Sequence, residues 1–327
     1  MSEFQIIQDC FADIGQQKEV VLGVGDDAAV VKAPANCELV FATDTLLENV
    51  HFPKETIPEN IAYKALAVNL SDMAAMGARP LWFLLSLTIP QESIAENVDW
   101  LTRFSQSLAQ LADEHKIQLI GGDTTSGPLN INLQMIGAVP TGKAILRSGA
   151  QVGDLVYVTG SIGDAGLGLQ YKQDPEHSSK IAVSSPLTAK NDVEYLLARL
   201  ERPDPRVKQG MELLGMANAM IDISDGLLAD LSHILAASQK GAEVQLEKIP
   251  IHQDNEVKHI LAAVNAGDDY ELCFTIPAEK SGKLEQLSRN WACQVTQIGE
   301  IVQNPGLRCY LNKVAIDVTV KGYDHFQ

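Results

Sequence analysis

The chain has 327 residues, of which 46% are hydrophobic, and its 42 acidic residues outnumber its 25 Lys and Arg to give a formal net charge of -17. This length and composition predict two globular domains, each with its own hydrophobic core. The negative charge repels nucleic acids and anionic lipids, so we expect neither a nucleic-acid nor a membrane partner.

Nothing in the sequence indicates a targeting signal or a membrane span. Glu3, Asp9 and Asp13 replace the basic-then-apolar pattern of a leader, and the longest apolar run, over 81–90, is too short to cross a bilayer. The five cysteines are odd in number and never spaced C-x-x-C, which predicts neither a disulfide framework nor a zinc site. We therefore expect a cytoplasmic protein with reduced thiols.

Apolar residues at helical spacing predict an opening helix over 3–14, ended by Gly15. Residues 23–28 then follow a strand and match the G-x-G-x-x-A pattern of dinucleotide-binding folds. We reject that interpretation, because Asp26-Asp27 would place negative charge where a helix N-terminus receives a pyrophosphate, and Pro34 cuts short any helix.

The next elements are a strand over 39–45, which delivers Asp44 at its end, and a loop over 46–52 that holds His51. A helix that begins near Pro58 is then apolar on nearly every side and stops before Gly77.

Asp72 is out of place in the closing turns of this helix. The helix dipole is negative there, and an unpaired buried carboxylate costs several kcal/mol, so a cation is expected to meet it. A basic side chain and a metal ion are both possible partners for Asp72 taken alone.

The pattern of Asp44 recurs later in the first half. A buried strand over 81–88 and a long amphipathic helix over 91–115 precede a strand that runs from Ile117 into Gly121-Gly122-Asp123. A further strand is predicted over 130–139. The turn-rich segment 140–153, which contains Arg147, is the predicted domain seam, so we expect domains at 1–140 and 150–327.

The second half alternates strands and helices. After a strand at 155–159, the small-residue turn 160–168 fits either close helix-to-sheet packing or direct ligand contact, and the polar stretch 173–185 predicts an exposed excursion. A strand over 219–223 then runs into Asp222-Ile223-Ser224-Asp225-Gly226. The remaining predicted helices cover 189–200, 205–216, 227–239, 254–264 and 277–289, and the remaining strands cover 244–246, 272–276 and 293–302.

Six aspartates share one feature, a position beside Gly, Ser or Thr at the end or interruption of an apolar element. They are Asp27, Asp44, Asp72, Asp123, Asp222 and Asp225. Any one of them alone fits the common use of Asp in caps and turns. If they converge, however, two carboxylates about 4 Å apart repel by roughly 4 kcal/mol at a near-surface effective dielectric, so cations are required. Oxygen ligands without nearby Cys or His favour Mg²⁺.

Several Mg²⁺ ions facing glycine-flanked turns indicate phosphate chemistry, and transfer from a nucleoside triphosphate is the first hypothesis. The chain has no G-x-x-x-x-G-K-[ST], H-R-D or D-F-G motif, so neither a P-loop nor protein-kinase machinery is predicted. The residues alone leave two alternatives, a metal-dependent phosphohydrolase and a non-enzymatic module that binds divalent ions or nucleotides.

Seven motifs in collinear order carry a resemblance that spans nearly the whole chain. They are Gly25 to Ala28, Thr43-Asp44-Thr45 with His51-Phe52, Ala67 to Gly77, Gly121 to Thr125, Ser224-Asp225-Gly226, Gly267 to Glu271 and Lys321 to Phe326. With them the chain resembles the thiamine-monophosphate kinase family, a branch of the aminoimidazole ribonucleotide synthetase-like proteins. The terminal Lys-Gly-Tyr-Asp-His-Phe is the most specific of the seven.

The resemblance implies a fold and an activity. The fold is α/β and α+β with two domains: an N-terminal mixed sheet that pairs across a homodimer, and a C-terminal α+β domain that closes over nucleotide and substrate. The activity is Mg²⁺-dependent transfer of the γ-phosphoryl group of ATP to thiamine monophosphate, which gives thiamine diphosphate.

The resemblance also implies roles for individual residues. Mg²⁺ would be bound by Asp27, Thr43, Asp44, Asp72, Asp123, Asp222 and Asp225. ATP would be contacted by Gly122, Asp123, Arg147 and Ser224, and the thiamine phosphate by His51, Asp268 and Tyr323. The catalytic set would be Asp72, Asp123 and Arg147. Two positions depart from the family pattern: Ala42, where members often have Ser, and Asp268, where some have the longer Glu.

Overall fold

The structure is a computed structural model that describes residues 3–90, 98–174, 189–252 and 256–323. The chain divides into two compact units, Met1–Met73 with Ala78–Ala144, and Ala74–Gly77 with Ile145–Gln327. We refer to them as the N-terminal and C-terminal units. Among the described helices, none combines the length and the apolar character needed to cross a membrane.

The N-terminal unit carries a mixed four-stranded sheet. Its helices are α1 (Glu3–Ile6), continued by a π-helical turn (Ile7–Phe11), α2 (Pro58–Ala75) and α3 (Val98–His115). Its strands are β1 (Val20–Leu22), β2 (Val30–Val31), β3 (Cys37–Leu47), β4 (Arg79–Ile89), β5 (Gln118–Ser126) and β6 (Asn130–Pro140). The sheet order is β3-β6-β4-β5, with β4 and β5 parallel and the other pairs antiparallel, while β1 and β2 form a separate two-stranded ribbon.

Helix α2 forms where the sequence predicts it. Pro58 occupies the first turn, where its missing N–H costs nothing, and Gly77 turns the chain away at a φ of 64°. Met73 packs against β6, since a Cβ added to Gly137 would lie 2.6 Å from its sulfur. α2 therefore covers one face of the sheet.

The C-terminal unit is built on a seven-stranded sheet in the order β13-β12-β9-β11-β7-β10-β8, in which only the β9 and β12 pair is parallel. Its strands are β7 (Asp154–Thr159), β8 (Ala219–Asp222), β9 (Gly241–Gln245), β10 (Leu272–Pro277), β11 (Val295–Val302), β12 (Gly306–Leu311) and β13 (Val314–Ile316). Its helices are α4 (Asp164–Gln173), α5 (Ala189–Glu201), α6 (Val207–Glu212), α7 (Leu227–Ser238), α8 (Val257–Val264) and α9 (Ser281–Ser288). The core joins the apolar side of α7 to the sheet, for example through Leu231, Ile221 and Val156.

The elements differ from the predicted ones in a few places. The opening helix changes to a π-helical turn after Ile6, and α6 is shorter than the predicted 205–216. Gly121, Gly122 and Asp123 lie within β5 and do not follow it, so their placement after the strand is wrong. No described residue between 23 and 36 is helical, which confirms the rejection of a dinucleotide fingerprint. Most of the predicted excursion 173–185 and the start of the helix predicted over 91–115 lie outside the described residues.

Candidate functional site

A cavity of about 750 Å³ in the N-terminal unit brings together three residues that the sequence assigns to the site. Asp27, Gly122 and Asp123 line it, together with Asp26 and the neighbouring Gly25. Its floor is the sheet face that carries the following side chains: Leu39, Phe41, Trp82, Leu84, Gln134 and Ile136. The cavity is therefore acidic at one part of its wall and apolar over the rest.

The register of the sheet decides which predicted ligands reach this cavity. Thr45, Asn132, Ser86 and Asp123 form one row across all four strands, so they share a face. The Asn132 amide donates to Thr45 Oγ1 at 2.7 Å and to the carbonyl oxygen of Asp44 at 3.3 Å, which ties β3 to this row. The position of Asp123 thus follows from strand pairing.

Asp44 leaves the sheet on the other face. Its row contains Leu133, Leu85 and Gly122, and both leucines are buried. This is the face that α2 covers through Met73, because Gly137 belongs to the same alternating set of β6 residues. The structure therefore does not bring the Asp44 side chain to the cavity face that carries Asp123.

The backbone at position 122 requires glycine. Its φ is 153°, and a Cβ built there would lie 1.8 Å from the carbonyl oxygen of Leu85 on β4. Any side chain would push β4 and β5 apart beside the Asp123 carboxylate. Close backbone approach is thus a second reason, besides ligand binding, for glycine at this position.

The other predicted residues of the N-terminal unit lie on α2, β3 and the loop after β3. Asp72 is half-buried, although its flanking residues Ser71 and Met73 are fully buried. Thr43 is exposed, and its Oγ1 donates to the carbonyl oxygen of Leu133 at 3.0 Å. The chain closes a turn at His51, whose Nδ1 accepts the Leu47 N–H at 3.0 Å.

In the C-terminal unit three separate segments meet, and each carries predicted site residues. The turn 222–226 holds Asp222, Ser224 and Asp225. The N–H of Asp268 donates to the Ser224 carbonyl oxygen at 2.9 Å, and the N–H of Tyr323 donates to the Asp225 carbonyl oxygen at 3.4 Å. Residues assigned by resemblance to metal, nucleotide and substrate are thus joined by backbone hydrogen bonds.

Small residues and unusual backbone conformations allow this meeting. A Cβ on Gly267 would lie 2.5 Å from the Ser224 carbonyl oxygen, so a larger residue would force the two segments apart. Asp268 and Tyr270 both adopt left-handed φ, at 66° and 51°, and the Tyr270 hydroxyl donates to Asp268 Oδ1 at 3.1 Å. Strained backbone of this kind is typical of binding sites.

A buried ion network anchors the segment that carries Asp268. The Glu271 carboxylate accepts hydrogen bonds from Arg206 at 2.7 and 2.6 Å, from Arg199 at 2.9 Å and from Thr159 Oγ1 at 2.6 Å. Asp269, the residue after Asp268, accepts the Gly163 N–H at 2.7 Å. Burial raises the pKa of Asp269 well above its usual range. These contacts fix the start of β10 and hence the turn before it.

Asp230 lies under the turn 222–226 and is not among the site residues predicted from the sequence. Its Oδ2 accepts three backbone N–H groups, from Ser224 and Asp225 at 3.1 Å each and from Gly226 at 3.2 Å. Burial, with Asp222 nearby, raises the pKa of Asp230 to about 7. An acidic residue in the first turn of a helix is common, so the sequence carries no stronger signal for this contact.

Arg147 lies in the C-terminal unit and is exposed, and its carbonyl oxygen accepts a hydrogen bond from Ser238 Oγ. All five cysteines are free thiols, as predicted. Within the described ranges, no group of three His, Cys, Asp or Glu side chains comes together to hold a metal ion. The cavity carboxylates nevertheless fit Mg²⁺, which proteins usually bind through one or two carboxylates plus substrate phosphates and water.

Comparison with known proteins identifies the family. Residues 25–139 match the family described as AIR synthase related protein, N-terminal domain, and residues 151–312 match its C-terminal domain. The chain is 41% identical over 333 residues to the thiamine-monophosphate kinase of Buchnera aphidicola subsp. Acyrthosiphon pisum, and the match covers 99% of each protein. The chain belongs to the thiamine-monophosphate kinase family.

Solved structures of this family share the fold. A crystal structure of thiamine-monophosphate kinase from Stenotrophomonas maltophilia K279a is 41% identical, covers 92% of this chain and 93% of its own, and superposes with a TM-score of 0.81. AaThiL complexed with AMPPCP and TMP is 30% identical, covers 95% of this chain and 93% of its own, and has a TM-score of 0.75. The predicted two-domain fold of the thiamine-monophosphate kinases is confirmed.

Proposed function

We propose that the chain transfers the γ-phosphoryl group of ATP to thiamine monophosphate, giving thiamine diphosphate and ADP. Its full-length similarity to thiamine-monophosphate kinases carries this proposal, and the AaThiL complex with AMPPCP and TMP supports the two substrates. The meeting of segments 222–226, 267–271 and 321–323 supports it from the geometry of this chain.

The chemistry needs positioning more than acid-base catalysis. A phosphate monoester has a second pKa near 6, so the acceptor is already an anionic nucleophile at neutral pH and needs no general base. An acceptor oxygen attacks the γ-phosphorus in line as the bond to the ADP oxygen breaks. The protein must hold two polyanions close together.

The residues divide this work. Gly122, Ser224 and Arg147 bind the nucleotide, with Arg147 as the cationic contact to the triphosphate. His51, Asp268 and Tyr323 bind thiamine monophosphate, and the aromatic ring of Tyr323, which is 55% exposed, suits the cationic thiazolium.

The metal-binding side chains complete the proposed site. They are Asp27, Thr43, Asp72, Asp123, Asp222 and Asp225, together with Asp44, which leaves the sheet on the face opposite Asp123 and would therefore bind a different Mg²⁺. When bound, Mg²⁺ would neutralise negative charge on the phosphate groups of ATP and of the acceptor. Asp72, Asp123 and Arg147 form the catalytic set. Five of these seven side chains belong to the proposed domain 1–140, and Asp222 and Asp225, like Ser224, Asp268 and Tyr323, belong to the proposed domain 150–327.

We also propose a homodimer formed through the N-terminal sheet. In the described chain β3 is an edge strand of eleven residues, and Phe41 on it is 63% exposed. A long edge strand with exposed apolar side chains favours pairing with another chain.

The test is the dependence of ADP release on the acceptor. The purified protein with ATP and Mg²⁺ is expected to release ADP when thiamine monophosphate is added, and not when thiamine is added. EDTA should abolish the release. ADP and phosphate release without any acceptor would favour a phosphohydrolase, and nucleotide binding without turnover would favour a binding module.

A further inference from the structure

The Asp230 carboxylate organises the turn that carries three predicted site residues. A single oxygen, Oδ2, accepts the N–H groups of Ser224, Asp225 and Gly226 at 3.1 to 3.2 Å. Asp230 is 2% exposed and lies in the first turn of α7. Three consecutive amides directed at one oxygen require that the backbone wraps around it.

The turn has few other ways to satisfy these amides. The N-terminus of α7 has no side-chain cap at Gly226, and buried N–H groups without partners are costly. Asp230 supplies from inside the helix the acceptor that a capping residue supplies from outside. Gly226, at a φ of 121°, permits the backbone path that brings all three N–H groups to the carboxylate.

The carbonyl side of the same turn is also engaged. Ile223 and Ser224 accept the N–H groups of Tyr270 and Asp268 at 2.8 and 2.9 Å. The N–H groups of the turn therefore donate to Asp230, and its carbonyl oxygens accept from the segment 267–271, which carries Asp268. With both sides held, the backbone from which the Ser224 and Asp225 side chains project is fixed.

We infer that Asp230 is a positioning residue for nucleotide and metal binding, which acts by holding the backbone of 224–226 around its carboxylate. This inference rests on the proposed function, in which Ser224 contacts ATP and Asp225 binds Mg²⁺. Asp230 is buried beneath the turn and acts through it. Its loss releases the amides of Ser224 and Asp225, whereas Asp268 remains tied to β10 and the terminal segment remains tied by the Lys321 N–H to Asn265 Oδ1 at 2.9 Å.

The chain offers a matched control in Asp154, a second buried carboxylate of the same unit that is 3% exposed. It accepts hydrogen bonds from the Gln151 N–H at 2.9 Å, from Asn218 Nδ2 at 2.9 Å and from Thr275 Oγ1 at 3.3 Å. It pairs with the end of β10, whereas Asp222 pairs with its start, so Asp154 and the turn that follows Asp222 lie at opposite ends of β10. Removal of the Asp154 carboxylate therefore breaks about as many buried hydrogen bonds as removal of the Asp230 carboxylate, but far from the turn 222–226.

The experiment compares D230A and D230N with D154A and D154N. KM for Mg·ATP, KM for thiamine monophosphate and kcat are measured for each variant, with the melting temperature and the Kd of AMPPCP with Mg²⁺ by calorimetry. For D230A we expect KM for Mg·ATP and the Kd of AMPPCP to rise about tenfold or more, and KM for thiamine monophosphate to rise less than about threefold. D230N keeps one acceptor oxygen, so its rise should be smaller but in the same constants.

The Asp154 variants are expected to melt at lower temperature with an unchanged Kd for AMPPCP. The inference is overturned if the folded Asp230 variants keep the wild-type Kd, or if the Asp154 variants show the same rise. Should D230A not fold, D230N decides on the same constants. Absence of thiamine monophosphate phosphorylation by the wild type would instead refute the proposed function, and the AMPPCP measurement still tests the role of Asp230.

Discussion

Asp72 is a carboxylate whose position does not favour helix stability and for which we propose a role in metal binding. It lies in the last turns of α2, where the helix dipole disfavours negative charge, and both of its neighbours are fully buried. Nothing in helix formation requires an acidic residue there. Its partial exposure allows water to reach the residue, which lowers the cost of carrying a charge there.

Replacement of Asp72 by Asn is expected to lower kcat/KM at least about 100-fold, because a proposed metal ligand is lost. The melting temperature should stay close to that of the wild type, because Asn has nearly the same shape as Asp and keeps a hydrogen-bonding side chain. Asp113→Asn, an exposed aspartate of α3, is the control and should behave as wild type. Normal turnover by Asp72→Asn would contradict the metal role.

Glu271 is the opposite case, a carboxylate whose role is structural. Substitution by Gln leaves Arg199 and Arg206 buried without their common counter-charge, and we expect a loss of about 3–5 kcal/mol in the free energy of unfolding. The control is Glu285→Gln, which breaks an exposed pair with Arg289 and should cost roughly 0.5 kcal/mol or less. Urea unfolding followed by circular dichroism measures both. Equal losses would show that the network does not hold the unit.

At the scale of elements, the parallel pairing of β4 with β5 positions Asp123. Leu85 pairs with Gly122, and Ser86 pairs with Asp123. A substitution that separates the two strands at these pairs would therefore shift Asp123 in the wall of the cavity. The pairing depends on close contact of two backbones, which only glycine permits at position 122.

Gly122→Ala is therefore expected to destabilise the protein by about 2 kcal/mol or more and to reduce activity, because its Cβ overlaps the Leu85 carbonyl oxygen. Gly121→Ala is the matched control. Its Cβ would meet only the Leu84 side chain, at 3.3 Å, which can shift. Thermal melting and ADP release are the measurements, and equal behaviour of the two variants would refute the argument from backbone contact.

The extent to which these elements could be predicted follows from how local their signals are. α2 was readable from Pro58, Gly77 and its apolar face, and the turn after β8 was readable from a carboxylate beside Ser and Gly. The separation of Asp44 and Asp123 onto two faces was not, because it depends on the register between β3, β6, β4 and β5, and a shift of one residue reverses the faces.

The contact of Asp230 with three backbone N–H groups also could not be predicted from the sequence. It requires the path of the turn at Gly226, and the sequence shows only an acidic residue in a first helical turn. The motifs of the thiamine-monophosphate kinases identified the chemistry, whereas the residues that support those motifs became visible only with the fold.

At the scale of the whole molecule, the proposed homodimer makes a direct prediction. Phe41→Glu places a charge on the exposed face of β3 and should convert the dimer to a monomer, because the desolvation of a carboxylate opposes burial in an interface. Val314→Glu is the control, since Val314 is also 63% exposed but lies on β13 of the C-terminal unit. Light scattering after gel filtration gives the mass. A monomeric wild type, or a dimer that survives Phe41→Glu, would contradict the proposed interface.

We propose that this acidic protein joins two phosphate groups. The most direct measurement supplies ATP labelled with ³²P in the γ-position, together with Mg²⁺ and thiamine monophosphate, and separates the products by chromatography. We expect the label to appear in thiamine diphosphate in amounts equal to the ADP formed. Label found only in free phosphate, or remaining in ATP, would contradict it.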